Sequence, residues 1–206
     1  MAILPILELP HPMLRKRARK VRGIDKKVLE IANNMVETMD DAGGVGLAAN
    51  QIGILQRIIV IRMMDEEEAR VYINPEIIKR EGEREVEEGC LSIPGYRGLI
   101  QRSVWVRFGA LDHTSTVVKL KAEGLLSQAL EHEVDHLNGI LYIDHLKSHD
   151  DFYKIELDDG SQDGSEGSAE YEAESHENDA EEGQRLGTKD SEQADGEGSA
   201  ASLTVT

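Results

Sequence analysis

His132-Glu133-Val134-Asp135-His136 sets two histidines four residues apart with a carboxylate between them. On a helix, positions i and i+4 project from one face, so both imidazoles can grip a single ion. Glu133 then borders that ion without ligating it, the arrangement in which a glutamate acts as general base. Two imidazoles leave a hydrolytic site one ligand short. Cys90, the chain's single cysteine, stands in Glu87-Glu88-Gly89-Cys90-Leu91-Ser92. Its thiolate would complete a tetrahedral Cys/His/His set with one position open for water. An inert buried thiol is the alternative. Gly89, directly before it, points to a close backbone approach. Glu88 and Asp135 are expected to orient the ligating imidazoles, with surface ion pairing the alternative, above all for Asp135. A third segment, Gly44-Val45-Gly46-Leu47-Ala48-Ala49-Asn50-Gln51, is a poor phosphate cradle because no Lys-Ser/Thr follows it. Small residues ending in a side-chain amide suit an extended substrate backbone and donation to a carbonyl. A plain loop after a helix would have the same composition.

These residues need elements to position them. Val28, Ile31, Ala32, Met35, Val36 and Met39 recur at helical spacing after Asp25, a good N-cap, and Gly43-Gly44 can end that helix. Short β-branched runs come next at Ile58–Ile61, Val71–Ile73, Val104–Phe108 and Thr116–Leu120, read as strands. A second helix is expected from about Gly124 to Leu137, stopped by Asn138-Gly139. Its apolar positions lie on two sides, as in a helix buried at the centre of a fold. The order argues for an α+β class: short antiparallel strands around a central buried metal-binding helix.

Charge divides the 206-residue chain. From Asp158 onward, fifteen acids face two bases, so that segment carries −13 of the net −17, and Met1–Leu157 only −4. Residues 158–206 are rich in Gly and Ser and nearly free of large apolar side chains, and are expected to be a disordered acidic tail. Residues 1–157 are the expected catalytic domain. No run of about twenty apolar residues spans a membrane, and no secretory signal is visible. One cysteine makes no internal disulfide, so an intracellular protein is expected. An acidic body is a poor candidate for a specific nucleic-acid footprint. The only dense positive stretch is Arg15-Lys16-Arg17-Ala18-Arg19-Lys20.

Taken together, the three segments resemble the peptide deformylase family. Its signatures are a glycine-apolar-glycine-apolar-Ala-Ala-x-Gln loop, a Glu-Gly-Cys-apolar-Ser turn and a His-Glu-apolar-Asp-His helix. Here they lie in order at Gly44–Gln51, Glu88–Ser92 and His132–His136. Pro12-Met13-Leu14-Arg15 and Glu123-Gly124-Leu125-Leu126 are also similar, so the likeness covers about Ile3 to Leu146. The resemblance implies Cys90, His132 and His136 as metal ligands and Glu133 as the catalytic acid/base. Gln51 and the backbone N–H of Leu91 would hold the formyl oxygen, and Gly46 would pair with the substrate backbone. One divalent ion per chain is implied, Fe²⁺ first, with Zn²⁺, Ni²⁺ or Co²⁺ able to replace it. The implied substrate is the formyl-methionyl end of nascent polypeptides, in a bacterial-type cytoplasm. Leu125 and Ala129 precede His132 by seven and three residues and share its helical face. With Val45 and Val86 they are expected to line an apolar pocket for the methionine side chain. Glu131 stands where the family often has Gln. Ribosome docking through a basic C-terminal helix is not expected after Leu157. An endopeptidase built on the same helix is the alternative hydrolase, disfavoured because Cys90 supplies the third ligand. A non-catalytic interaction protein using the acidic tail is the alternative from another class.

Overall fold

The computed structural model describes residues 2–155. The expectations for the acidic tail, and for ribosome docking through the chain after Leu157, lie outside the described residues. Asp25 opens α1 (Lys26–Asp41) by accepting the Val28 N–H at 2.9 Å. The strands are β1 (Gly46–Ala48), β2 (Ile58–Ile61), β3 (Arg70–Glu81), β4 (Arg84–Cys90), β5 (Ile93–Arg102), β6 (Trp105–Leu111) and β7 (Val117–Glu123). Then come α2 (Gly124–Asn138) and a short β8 (Phe152–Lys154). All strand pairings are antiparallel, in two sheets of order β1-β2-β3-β6-β7 and β4-β5-β8. The α+β architecture is as expected.

β2 explains how two helices share one sheet. Ile58 and Val60 pack with Val28, Ala32, Met35 and Met39 of α1, whereas Ile59 and Ile61 pack with Leu130, Val134 and Leu137 of α2. A strand covered on both faces reads as an unbroken apolar run. Burying each of the Val, Leu, Ile and Met side chains contributes about 1.5–3 kcal/mol, which fixes α2 against the sheet before any metal is considered. A third cluster, Leu14, Val86, Ile93, Ile100, Leu141 and Tyr142, ties β4 and β5 to the chain after α2. α2 ends at Gly139, where φ is 78° and a Cβ would stand 2.4 Å from the Arg15 carbonyl oxygen. Both the left-handed backbone and the space require glycine. Among the described residues, no helix is long and apolar enough to cross a membrane.

The four expected strands are present, and β3 and β6 run longer than their apolar cores suggest. The Gly44–Gln51 segment is not a plain loop: it contains β1 and a 3-10 turn over Ala49–Ile52. β4, β5 and β8 are additions to the expected set. Arg84-Glu85-Val86-Glu87-Glu88-Gly89-Cys90 is too charged to look like a strand, because one of its inward positions is itself a glutamate, Glu88, only 3% exposed.

Candidate active site

α2 turns His132, Glu133 and His136 toward the end of β4, where the chain delivers Cys90. One ligand atom from each of Cys90, His132 and His136 lies within 4.8 Å of the others, with Cys90 Sγ 3.2 Å from His136 Nε2. A tetrahedral ion with bonds of about 2.3 Å to sulfur and 2.0–2.1 Å to nitrogen needs ligand atoms roughly 3.3–3.6 Å apart. The donor set therefore fits a divalent ion with small adjustments. Burial, then the neighbouring His132, keeps the His136 imidazole well below its ordinary pKa, in the neutral form a ligand needs. His132 behaves oppositely: burial opposes a proton, but contacts with Cys90 and Glu88 outweigh it and raise its pKa. A metal bound there competes with that proton, so affinity rises with pH.

Behind the ligands lies a buried ionic cluster. Glu88 Oε2 sits 2.7 Å from His132 Nδ1, which leaves Nε2 for the ion. Arg102, 5% exposed, donates to both oxygens of Glu88 at 2.7 and 3.1 Å and to Asp135 Oδ2 at 2.6 Å. Burial alone would raise the Glu88 pKa, but His132 and Arg102 bring it down to about 2. That stabilisation is complete above the ordinary carboxylate range and is lost as pH falls toward 2. Removing one partner of such a buried pair costs on the order of 3–5 kcal/mol. Glu88 thus orients an imidazole, as the sequence suggests. Asp135 contacts neither ligating histidine; it meets Arg102 and, at 2.9 Å, the His145 imidazole through Nε2.

Glu133 is 4% exposed, and its Oε2 is buried without a hydrogen-bond partner among the described residues. Burial lifts its pKa to about 7; Glu88 adds to the rise, while His132 and Arg102 oppose it. A carboxyl poised near neutrality can both take and return a proton. Gly46 makes room for it: a Cβ there would lie 2.4 Å from Glu133 Oε1. The close approach anticipated at Gly89 is therefore at Gly46 instead, since a Cβ on Gly89 would meet its nearest atom at an ordinary 3.7 Å. Gly46→Ala should displace the Glu133 carboxylate and cut kcat/KM on the order of 10²-fold, with metal content unchanged. Wild-type turnover in that variant would show that the carboxylate is not held there.

Gln51 is almost wholly buried. Its Oε1 accepts the Ala48 N–H at 2.7 Å, and only the carbonyl end of an amide can do so. The NH₂ end must then face Cys90 Sγ at 3.8 Å and Ser92 Oγ at 3.2 Å. Asn50, unremarkable in sequence, donates to the His136 carbonyl at 2.6 Å and ties this segment to the metal-binding turn of α2. Nothing local in the sequence marks Arg102 or His145, and Ser92 is marked only as the last residue of the Glu88–Ser92 signature.

A cavity of about 450 Å³ opens over these groups. Val45, Gly46, Gln51, Leu91, Leu125 and Ala129 are on its walls with Cys90, His132 and Glu133. Val86, also expected there, is not among these wall residues; it packs in the third cluster with Leu14 and Ile100. Strand alternation turns it to the same buried side of β4 as Glu88.

A sequence model described as polypeptide deformylase matches residues 3–152. The chain belongs to that family. A peptide deformylase from Dehalococcoides mccartyi is 52% identical over 159 residues, which cover 77% of this chain and 95% of the relative. The crystal structure of a peptide deformylase from Legionella pneumophila has a TM-score of 0.69 and 46% identity, covering 70% of this chain and 86% of that one. A class I type b peptide deformylase from Acinetobacter baumannii with Met-Ala-Ser bound has a TM-score of 0.67 and 32% identity, covering 70% of this chain and 99% of that one. As a deformylase, the chain is a hydrolase that removes the N-formyl group from newly made polypeptides. The deformylase family is metal-dependent, and the Cys/His/His cluster fits that requirement.

Proposed function

We propose that Cys90, His132 and His136 hold one Fe²⁺ and that Glu133, Gln51 and the Leu91 N–H carry out deformylation beside it. The single observation that carries this reading is the convergence of the three ligand atoms within 4.8 Å, next to a buried carboxyl. When bound, the ion supplies Lewis acidity, lowering the pKa of water toward 7 and polarising the formyl oxygen.

The chain's own groups do the rest. β1 pairs only with β2, and β4 only with β5, so each presents a free strand edge among the described residues. Val45 and Gly46 at one edge and Glu87–Cys90 at the other flank the cavity. An extended formyl-methionyl terminus can lie between them as an added strand, with Gly46 pairing to its backbone. Val45, Leu125 and Ala129 then receive the methionine side chain. That the Acinetobacter relative holds Met-Ala-Ser, the kind of end deformylation leaves, supports a methionyl-peptide substrate. Gln51 Nε2 and the Leu91 N–H donate to the formyl oxygen as its negative charge grows, each worth roughly 3–4 kcal/mol. Glu133 takes the proton from water as its oxygen bonds to the formyl carbon. It returns that proton to the amine nitrogen as the C–N bond breaks, releasing formate and a free methionine terminus.

Fe²⁺ is preferred over Zn²⁺, Ni²⁺ or Co²⁺ on the resemblance to the family, and the proposed setting is the cytoplasm. Iron and a thiolate ligand are both oxidation-sensitive, so air exposure should lower activity. The test is the full chain, purified anaerobically, on formyl-Met peptides with metal analysis alongside. Formate release with iron bound and no internal peptide cleavage is the expected result. Faster cleavage of casein-like substrates, or a metal-loaded protein without turnover, would overturn it. Catalysis is proposed to reside in residues 1–157. Truncation after Leu157 should leave kcat/KM and melting temperature nearly unchanged in the same assay.

A further inference from the structure

Residues 15–27 hold eight of the chain's 23 Lys and Arg but only one of its 40 Asp and Glu. All eight cations are exposed. Arg15 pairs with Asp144 and Lys20 with Glu76, whereas Lys16, Arg17, Arg19, Arg22, Lys26 and Lys27 have no carboxylate partner among the described residues. The one acid, Asp25, is engaged in capping α1. The strip is nevertheless held in place. Ala18 N donates to the Leu137 carbonyl at 2.8 Å, Arg19 N to Leu55 at 3.0 Å, and Arg57 N to Arg19 at 2.9 Å.

Two clefts run along it, of about 730 and 330 Å³, and Lys20 lines both. Arg57 lines the smaller one at 6% exposure. Its guanidinium meets only neutral acceptors, Asn138 Oδ1 at 2.9 Å and the Pro75 carbonyl at 2.8 Å, and its buried Nε has no partner among the described residues. Arg17 lines the same cleft. The Glu76 carboxylate also lines this cleft but is paired with Lys20, so the buried guanidinium, beside the second cation Arg17, has no anion hydrogen-bonded to it and can take one.

We infer that this surface binds the phosphate backbone of double-helical RNA. No large apolar side chain is exposed between residues 15 and 27, so nothing there would insert into a membrane. No aromatic residue lines either cleft, so bases have nothing to stack on and phosphate contact remains. RNA is chosen over other polyanions because the family's activity, on which this choice rests, works on newly made chains, which emerge from RNA-rich machinery. The strip lies against Leu137 and Asn138 at the C-terminal end of α2, and none of residues 15–27 lines the catalytic cavity. A free peptide can therefore still reach that cavity when the strip is occupied.

The test uses the full chain and a fluorescent RNA hairpin, titrated at several salt concentrations. Binding should weaken linearly in log–log form with salt, and be at least as tight as for a DNA duplex. The triple variant R17Q/R19Q/R22Q should lose about tenfold or more in affinity and about three in salt slope, while turnover of a free formyl-Met peptide stays unchanged. The charge-matched variant R107Q/K119Q/K147Q should bind RNA nearly as the parent does. Equal losses in both variants, salt-insensitive or absent binding, or tighter binding of DNA or polyglutamate would overturn the proposal. Should the first variant fold poorly, acetylation of the parent protein decides. RNA should protect Lys16, Lys20, Lys26 and Lys27 but not Lys119, and uniform labelling would count against the surface.

Discussion

Replacing Glu133 by glutamine should lower kcat by roughly 10²–10⁴-fold while the protein still binds its metal. The carboxyl is not among the three converging ligands, and glutamine has its shape, so it fits over Gly46. What is lost is the group that moves the proton. Burial holds the Glu133 pKa at about 7. A dication beside it favours the carboxylate, so the acid limb of kcat/KM should lie at or below pH 7 and be absent from the residual activity of the variant. Stability carries the opposite sign from the usual paired carboxylate. A folded pKa raised above the unfolded value means that the native state binds the extra proton, so stability falls as pH rises from about 4.3 to 7. In chelator at pH 8, E133Q should therefore melt no lower than the parent. Turnover close to wild type would remove Glu133 from the chemistry.

Cys90→Ser and His136→Ala should each drive both bound metal and turnover to background. Each removes one of only three protein ligands, and a three-ligand site has no spare donor. Chelation should lower the melting temperature of the parent, because an ion bound only to the native state stabilises it by mass action, and should do little to either variant. Glu88→Gln gives the graded contrast. It keeps all three ligands but frees His132 to turn, which should cost about 10–100-fold in metal affinity. It also leaves Arg102 buried with half its anionic support, so a drop in melting temperature is expected even without metal. Metal retained at wild-type stoichiometry in C90S would exclude the thiolate as a ligand.

Much of this molecule is legible from short spacings. The i, i+4 histidines, the Asp25 cap and the Asn138-Gly139 stop each depend on neighbours within about a turn, and α1 and α2 fall where those signals put them. The unbroken Ile58–Ile61 run announces a strand covered on both sides. Spacing misleads where a polar group is buried by a distant partner. Glu88 breaks the alternation of β4, and its neutralising Arg102 lies fourteen residues away on β5. Val86 shares a strand with Cys90, yet only the packing of Leu14 and Ile100 against it shows that it faces the core.

The sequence by itself determined the donor types, their order along the chain and the helix that pairs two of them, because helical geometry is local. Tertiary structure decided which groups those donors meet. Antiparallel pairing of β4 with β5 carries Cys90 to α2, and β1 brings Gly46 under Glu133. The Glu133 pKa near 7, the amide direction of Gln51 and the Arg102 cluster arise from that assembly alone. Burial and charge pairing depend on whatever the fold places within a few ångströms, and separation along the chain does not specify it.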